Sequence, residues 1–314
     1  MGELLGIASG MFYGLSSVLF RIGMRHRKND NGLFMGVFMN ILLLGPLMFL
    51  FERKPANWKG VVLFLLAGLF APWLARASML RAVRLIGPVR SNAFMLGAPL
   101  VTVAISSTFL GEEVGLLEAV GGCLVLGGLA VAGRSGRSTT AVGLEIEGTA
   151  AVGSELPDDA GSMMARSEDW PRGRFFAGLA AFLMGMGLVV RKMGLDEYSD
   201  PVAGAFLASL AALVMILTET TLKGRLGQLR NENFSPIPWW FVGAGFAAAA
   251  AILTQFTAML YLPIWMVSVL LSTHGLWTYF WSHLLLHEDE EMQVRVLAAI
   301  LVSTIGIVVL AWPA

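Results

Sequence analysis

His274 is the side chain in this sequence best suited to hold and release a proton. It stands inside a long apolar run, and at helical spacing it shares a stripe with Trp277, Thr278 and Trp281. An imidazole changes charge near neutral pH, so a proton can be coupled to whatever it contacts. The neighbouring indoles can stack on an organic molecule or hold its cation. The bland alternative is a neutral histidine hydrogen-bonded to an adjacent helix. His283 and His287 are four residues apart with Glu288 beside them, which is metal-ligand spacing on a helix. A single such pair without a second cluster does not make a metal site, and no metal is expected.

Other polar residues interrupt apolar runs in the same way. Ser9, Tyr13 and Ser16 fall on one face of the first run, and Asn40 lies in the middle of the second. Asn92, Thr254 and Gln255 lie in later ones. Together they can line a polar cavity, although Ser, Thr, Asn and Gln also serve as glue between packed helices. Gly6, Gly10 and Gly14 recur every four residues, a stripe suited to close helix packing. Arg76 follows Pro72 and Trp73 and can present a fork to an anionic group, or reach toward a membrane surface. Glu112, Glu113 and Glu288 to Glu291 are read as structural charges at helix starts.

The elements that must position these residues follow from composition. Of 314 residues, 56% are hydrophobic and 14% charged, against about 25% charged in soluble domains. Mean hydropathy is +0.70, which excludes an ordinary soluble enzyme. Apolar runs fall at residues 4–24, 33–51, 60–82, 89–110, 115–133, 174–194, 201–221, 239–260, 263–286 and 294–312. Each is about 20 residues, the length of a bilayer-spanning helix and not of an outer-membrane strand. Lipid offers backbone groups no water, so the expectation is an all-α integral membrane protein with ten transmembrane helices. A formal net charge of zero gives no basic field for nucleic acid. The single cysteine, Cys123, permits no intrachain disulfide. No phosphate-binding loop is present, so ATP-driven pumping is not expected, and neither is any cofactor.

Residues 134–173 are rich in Gly, Ser and Thr and read as a flexible polar linker. They divide the chain into residues 1–133 and 174–314, with five runs on each side. The halves repeat. Residues 88–113 align without gaps to 263–288, and Leu19-Phe20-Arg21 corresponds to Val189-Val190-Arg191. Because five is odd, the second copy enters the membrane from the opposite face. Two inverted five-helix repeats can rock around a central site and give alternating access, which points to a transporter.

Gly97-Ala98-Pro99-Leu100, then Leu110-Gly111-Glu112-Glu113, then the glycine-punctuated stretch from Gly121 to Gly128, complete the pattern. With the duplicated plan, this resembles the drug/metabolite transporter superfamily, in its ten-helix EamA-like branch. His274 stands where the first half has Pro99, and the long linker is unusual for that branch. The resemblance implies secondary transport, often export, of small metabolites or drugs, in a cell (inner) membrane and with cytoplasmic termini. Lys and Arg instead concentrate in the loops after the odd-numbered runs, which by the positive-inside rule places the termini outside.

The expectation is therefore a non-enzymatic secondary transporter for a small organic solute, an exporter working by alternating access in the lipid bilayer. Its coupling is to protons or to an exchanged solute. The expected cavity residues are Tyr13, Ser16, Asn40, Arg76, Asn92, Gln255, His274, Trp277 and Thr278, with His274 as the proton-coupling group. The rival readings are a membrane scaffold or sensor that uses residues 134–173, and a membrane enzyme acting on a lipid carrier near the acidic loop at Glu288 to Glu291.

Overall fold

The computed structural model describes residues 1–26, 33–50, 55–86, 91, 94–95, 97–116, 119–124, 126–127, 170–224, 227, 239–286, 302, 305, 306 and 309. Its regular elements are helical, and no strand occurs among the described residues. Helix α1 spans Gly2–His26 and α2 Leu33–Leu50. Then α3, Trp58–Leu69, runs through a π-helical turn, Phe70–Ala75, into α4, Arg76–Ile86. Helix α5 is Ala98–Phe109, α6 Trp170–Glu197, α7 Pro201–Leu222 and α8 Trp239–Ala258. The last two described helices are α9, Ile264–Ser272, and α10, His274–Leu286. Among the described residues, five stretches are long and apolar enough to cross a membrane: Gly2–Gly23, Trp58–Met79, Trp170–Glu197, Pro201–Leu222 and Trp239–Ala258. The runs expected at 115–133 and 294–312 fall largely outside the described residues.

Local chemistry sets the helix ends. Asn57 caps α3 by accepting from the Lys59 amide at 3.2 Å, and Asp200 caps α7 by accepting from the Ala203 amide at 2.9 Å. Pro201 follows as the first helical residue, where its missing N–H costs nothing. The π-turn has a comparable cause. Pro72 supplies no amide and crowds the carbonyl four residues earlier, so the backbone widens around it. Gly111 turns the chain after α5 with φ of 65°, a conformation glycine adopts at little cost.

Small residues bring the helices close. A Cβ at Gly6 would stand 2.8 Å from Leu270, and one at Gly14 would stand 2.7 Å from the Thr278 backbone nitrogen. The glycine stripe of α1 therefore lies directly on α9 and α10. A Cβ at Gly68 would come within 2.4 Å of the Ala208 carbonyl, so α3 and α7 meet almost backbone to backbone. The alanine run from Ala247 to Ala251 gives α8 an equally slim profile.

The packing is reciprocal. In the N-terminal half α1 lies on α8, and in the C-terminal half α6 lies on α3, the π-turn and α4. Helix α2 also packs on α8, and α7 on α3. Helices α2 and α7 touch each other, as do α5 and α9. Each half thus supplies helices that are completed by the other. The core between them is built from Phe64, Leu188, Phe256, Met259 and Trp265, all essentially removed from the surface. Exposed Leu42, Leu100, Phe182, Val214 and Phe246 form the apolar exterior, and Trp58, Trp239 and Trp240 stand exposed at helix starts, the position of interfacial aromatic anchors.

Three boundaries differ from the sequence reading. The third run, read as 60–82, extends from Trp58 through the π-turn to Ile86. The ninth run is interrupted at Thr273, which caps α9 before His274 opens α10. Helix α6 begins at Trp170, inside the stretch read as linker, and ends at Glu197 instead of near residue 194.

Candidate functional site

Among the described residues, two cavities lie between the halves, and Tyr13 lines both. The first is lined by Tyr13, Val37, Asn40, Pro72, Arg191, Ala208, Ser209, Ala212, Ala248 and Ile252. The second is lined by Tyr13, Met95, Ala98, Pro99, Met184, Leu188, Ser268, Leu271, Ser272 and His274. Both halves contribute to each.

The first cavity is the polar one. Arg191 lies inside α6, six residues before its end, and is fully buried. Its guanidinium sits 5.4 Å from the centre of the Phe256 ring, a cation–π arrangement. Adjacent Lys192 takes another face of the helix. Its Nζ donates to the Met259 carbonyl at 2.8 Å and lies 3.4 Å from Asp196. Opposite Arg191, Asn40 and Ser209 reach the same space from α2 and α7. The π-turn places Pro72 in the wall, where a widened turn often marks a functional site.

The second cavity sits where two helices are interrupted. Before α5 the chain turns at Gly97, whose amide bonds to the Phe94 carbonyl at 2.9 Å. Between α9 and α10 it turns at Thr273, whose amide bonds to the Leu270 carbonyl at 3.1 Å. Ala98 and Pro99 line the cavity at one interruption, Ser272 and His274 at the other. Interrupted helices of this kind expose backbone ends to a solute in many transporters. Ser268 Oγ donates to Thr102 Oγ1 at 3.3 Å and bridges the two broken rods. His274 Nδ1 lies 3.0 Å from the Leu271 carbonyl. A carbonyl can only accept, so Nδ1 carries the proton in the neutral ring and Nε2 is the basic atom.

Tyr13 forms the shared wall. Its hydroxyl donates to Gln255 Oε1 at 3.1 Å, across the contact of α1 with α8. Gln255 is wholly buried and positions Tyr13 from behind. Two more bonds from α1 secure the same contact. Ser9 Oγ donates to the Ala251 carbonyl at 2.9 Å and Ser16 Oγ to the Ala244 carbonyl at 3.0 Å.

Of the residues expected from sequence, Tyr13, Asn40 and His274 thus come together on the two cavities. Ser16 and Gln255 stand behind them in the α1–α8 contact. Trp277 and Thr278 press on Gly14, with Trp277 edge-on to Phe280 and the Thr278 hydroxyl bonded to the His274 carbonyl at 2.9 Å. Neither belongs to the lining of the two cavities. Arg76 is also absent from those linings; it opens α4 in the neighbourhood of Trp73, whose indole donates to Glu219 at 3.2 Å. Asn92 lies outside the described residues, as do His287 and Glu288 to Glu291. Among the described residues no group of three or more His, Cys, Asp or Glu side chains is placed to hold a metal ion.

Arg191 and Ser209 were not singled out in the sequence. Arg191 sits beside Lys192 near the end of an apolar run and so reads as an interfacial anchor. The signal was its pairing with Arg21 in the repeat, which marks position 191 as part of the duplicated plan.

Glu112 joins the halves at another point. Its Oε1 accepts from the Ile264 amide at 2.8 Å, so a side chain of the N-terminal half caps the start of α9 in the C-terminal half. The sequence reading gave Glu112 a structural role at a helix start; the helix it serves lies across the molecule.

Comparison with known proteins places this geometry. Residues 1–134 and 171–312 match the profile of the EamA-like transporter family. No curated protein matches the chain. A crystal structure described only as that of a protein is similar in fold, with a TM-score of 0.66 at 16% identity over 99% of this chain and 96% of that one. The apolar helices, the cavities shared by both halves and the extent of the matched residues lead to one assignment: this chain belongs to the EamA-like transporter family, integral membrane transporters of the drug/metabolite superfamily.

Proposed function

We propose that this protein is a secondary transporter that exports a small organic solute by alternating access, with its two halves acting as inverted five-span repeats. The observation that carries this reading is the arginine-bearing cavity, which lies at the contact between the halves and is lined from both. A guanidinium buried in a membrane helix is costly, and such groups usually mark a solute path. The reciprocal packing of α1 on α8 and α6 on α3 supports the repeat. Tyr13 then borders the solute where the polar cavity meets the His274 cavity, and rocking of one half on the other opens these two cavities together to each membrane face in turn. Coupling enters through His274, whose Nε2 takes a proton in one state and releases it in the other. Differential affinity of solute and proton for the two states is what drives the cycle.

The test is to express the protein in a bacterial host and compare metabolites in the medium with an empty-vector control at matched growth. Accumulation of one chemical class outside the cell is the expected result. Loss of that accumulation in a Tyr13→Trp variant that still reaches the membrane would tie it to the cavities. No change in any metabolite would overturn export of a host metabolite. Deleting residues 138–168 addresses the scaffold reading, because a transporter retains its flux without them.

A further inference from the structure

Many buried hydroxyls on these helices are satisfied by their own helix. Ser17 and Thr102 donate to the carbonyl four residues earlier, and Ser106, Ser272 and Thr273 to the carbonyl three residues earlier. Ser209 departs from this habit. It is only 4% exposed, yet its Oγ has no hydrogen-bond partner among the described residues. Asn40, 6% exposed, likewise leaves Oδ1 without a partner. Both line the cavity that Arg191 lines. Buried polar atoms without partners are rare, and two of them around one cavity indicate a ligand that completes them.

Resting on the transport reading above, we infer that the solute is a small organic monocarboxylate with an apolar body, its carboxylate held at Arg191 and Ser209. Arginine stays protonated at any physiological pH, so the cavity carries a fixed positive charge. Among the residues lining it none is acidic. In surroundings of low dielectric this charge selects an anion and repels a cation. The guanidinium fork matches a carboxylate edge, and the lining holds no second cation to balance a phosphate dianion. Ser209 Oγ can donate to the same carboxylate. Asn40 Oδ1 accepts, which favours a hydrogen-bond donor next to the carboxylate. Met95, Met184, Leu188 and Leu271 line the second cavity, which shares Tyr13 with the first. Their apolar, adaptable surface suits a hydrocarbon or aromatic body. Tyr13, common to both linings, lies along the molecule between its two ends.

Binding to the purified full-length protein in lipid nanodiscs tests this directly. Calorimetric titration uses four probes: 3-phenylpropanoate, its neutral amide, 3-phenylpropylamine and inorganic phosphate. The carboxylate is expected to bind roughly tenfold to a hundredfold more tightly than the amide, the range for one charge-assisted hydrogen bond. Arg191→Gln should erase that preference, and Arg191→Lys should keep part of it. Should Arg191→Gln fail to fold, Ser209→Ala serves instead, with carboxylate binding weakened and amide binding unchanged. Equal binding of amide and carboxylate, tighter binding of the amine or of phosphate, or binding of none of the four overturns the assignment. This readout needs no translocation. Carboxylate binding without flux in proteoliposomes would overturn the transport reading alone. Flux of a neutral or cationic solute, with no carboxylate preference, would overturn only the substrate class.

Discussion

The Tyr13 hydroxyl and Gln255 Oε1, 3.1 Å apart, tie the first helix of the protein to its C-terminal half at the wall between two cavities. Under the proposed alternating-access cycle, this bond lies on the path of the solute. Tyr13 lines both cavities, whereas Gln255 lines neither and is completely buried. The pair therefore divides its labour, with one side chain facing the cavities and the other holding it in place.

Tyr13→Phe isolates that bond. The ring and its packing remain, but Gln255 Oε1 loses its donor in a buried setting. A net loss of about 1–2 kcal/mol is expected, the usual cost of a buried group deprived of its partner. Thermal unfolding in detergent measures it. In proteoliposomes the same variant should alter flux, because the wall loses its tether. Unchanged stability and unchanged flux together would remove the Tyr13–Gln255 bond from the mechanism.

Gly14 tests the fit of α1 on α10. A Cβ there would stand 2.7 Å from both the Thr278 nitrogen and Trp277 Cβ, and 2.8 Å from the Trp277 carbonyl carbon. Backbone atoms cannot step aside as a flexible side chain can. Gly14→Ala should cost about 1–3 kcal/mol, the range for overpacking a tight contact. Gly178, with nothing within 4 Å of its would-be Cβ, is the matched control. Gly178→Ala should be neutral or slightly stabilising in the same unfolding assay, since alanine favours helix over glycine by up to about 1 kcal/mol.

Glu112 tests the coupling between halves. Its bond to the Ile264 amide spans the two halves at one end of α9. Glu112→Ala leaves that amide without its cap, at a cost of about 0.5–2 kcal/mol. If the bond belongs to one conformational state only, the variant also shifts the population of states. Accessibility of cysteines introduced at Ser268 and Ser209 reads that shift. Equal accessibility in parent and variant would make Glu112 purely a helix cap.

How far the sequence predicted this arrangement can be argued from particular residues. The apolar runs foretold α1, α2, α7 and α8 closely, because lipid-length hydrophobic segments leave little freedom in where a helix starts and stops. The family was also legible, from Gly97-Ala98-Pro99, Gly111-Glu112 and the repeat. The break at Thr273 was not. In the run from Ile264 to Leu286 the one glycine, Gly275, is a weak stop signal on its own, and the correspondence of His274 with Pro99 hinted that both rods part at the same level. Trp277 shares a helical stripe with His274, but spacing alone does not say whether a stripe faces a cavity or a neighbouring glycine. Arg191 was the costliest ambiguity. A basic pair beside a helix end reads as an anchor until the true end, Glu197, places one member inside and the other on a different face.

His274 gives the last test. Its Nδ1–H is committed to the Leu271 carbonyl at 3.0 Å, so protonation falls on Nε2, and the ring lines the cavity beside Ser272 and Pro99. A group that accepts its proton from one side and gives it up on the other makes flux depend on pH across the histidine range, about pH 5 to 8. Uptake or efflux in proteoliposomes, measured with and without an imposed pH gradient, should lose that dependence in His274→Ala. His274→Gln is the sharper variant. It can keep a hydrogen bond to the Leu271 carbonyl and much of the volume, yet it cannot titrate. Flux driven by solute exchange should survive in His274→Gln while flux driven by the pH gradient disappears. If both variants respond to the gradient as the parent does, His274 is a structural residue at the break between α9 and α10, and the coupling lies elsewhere.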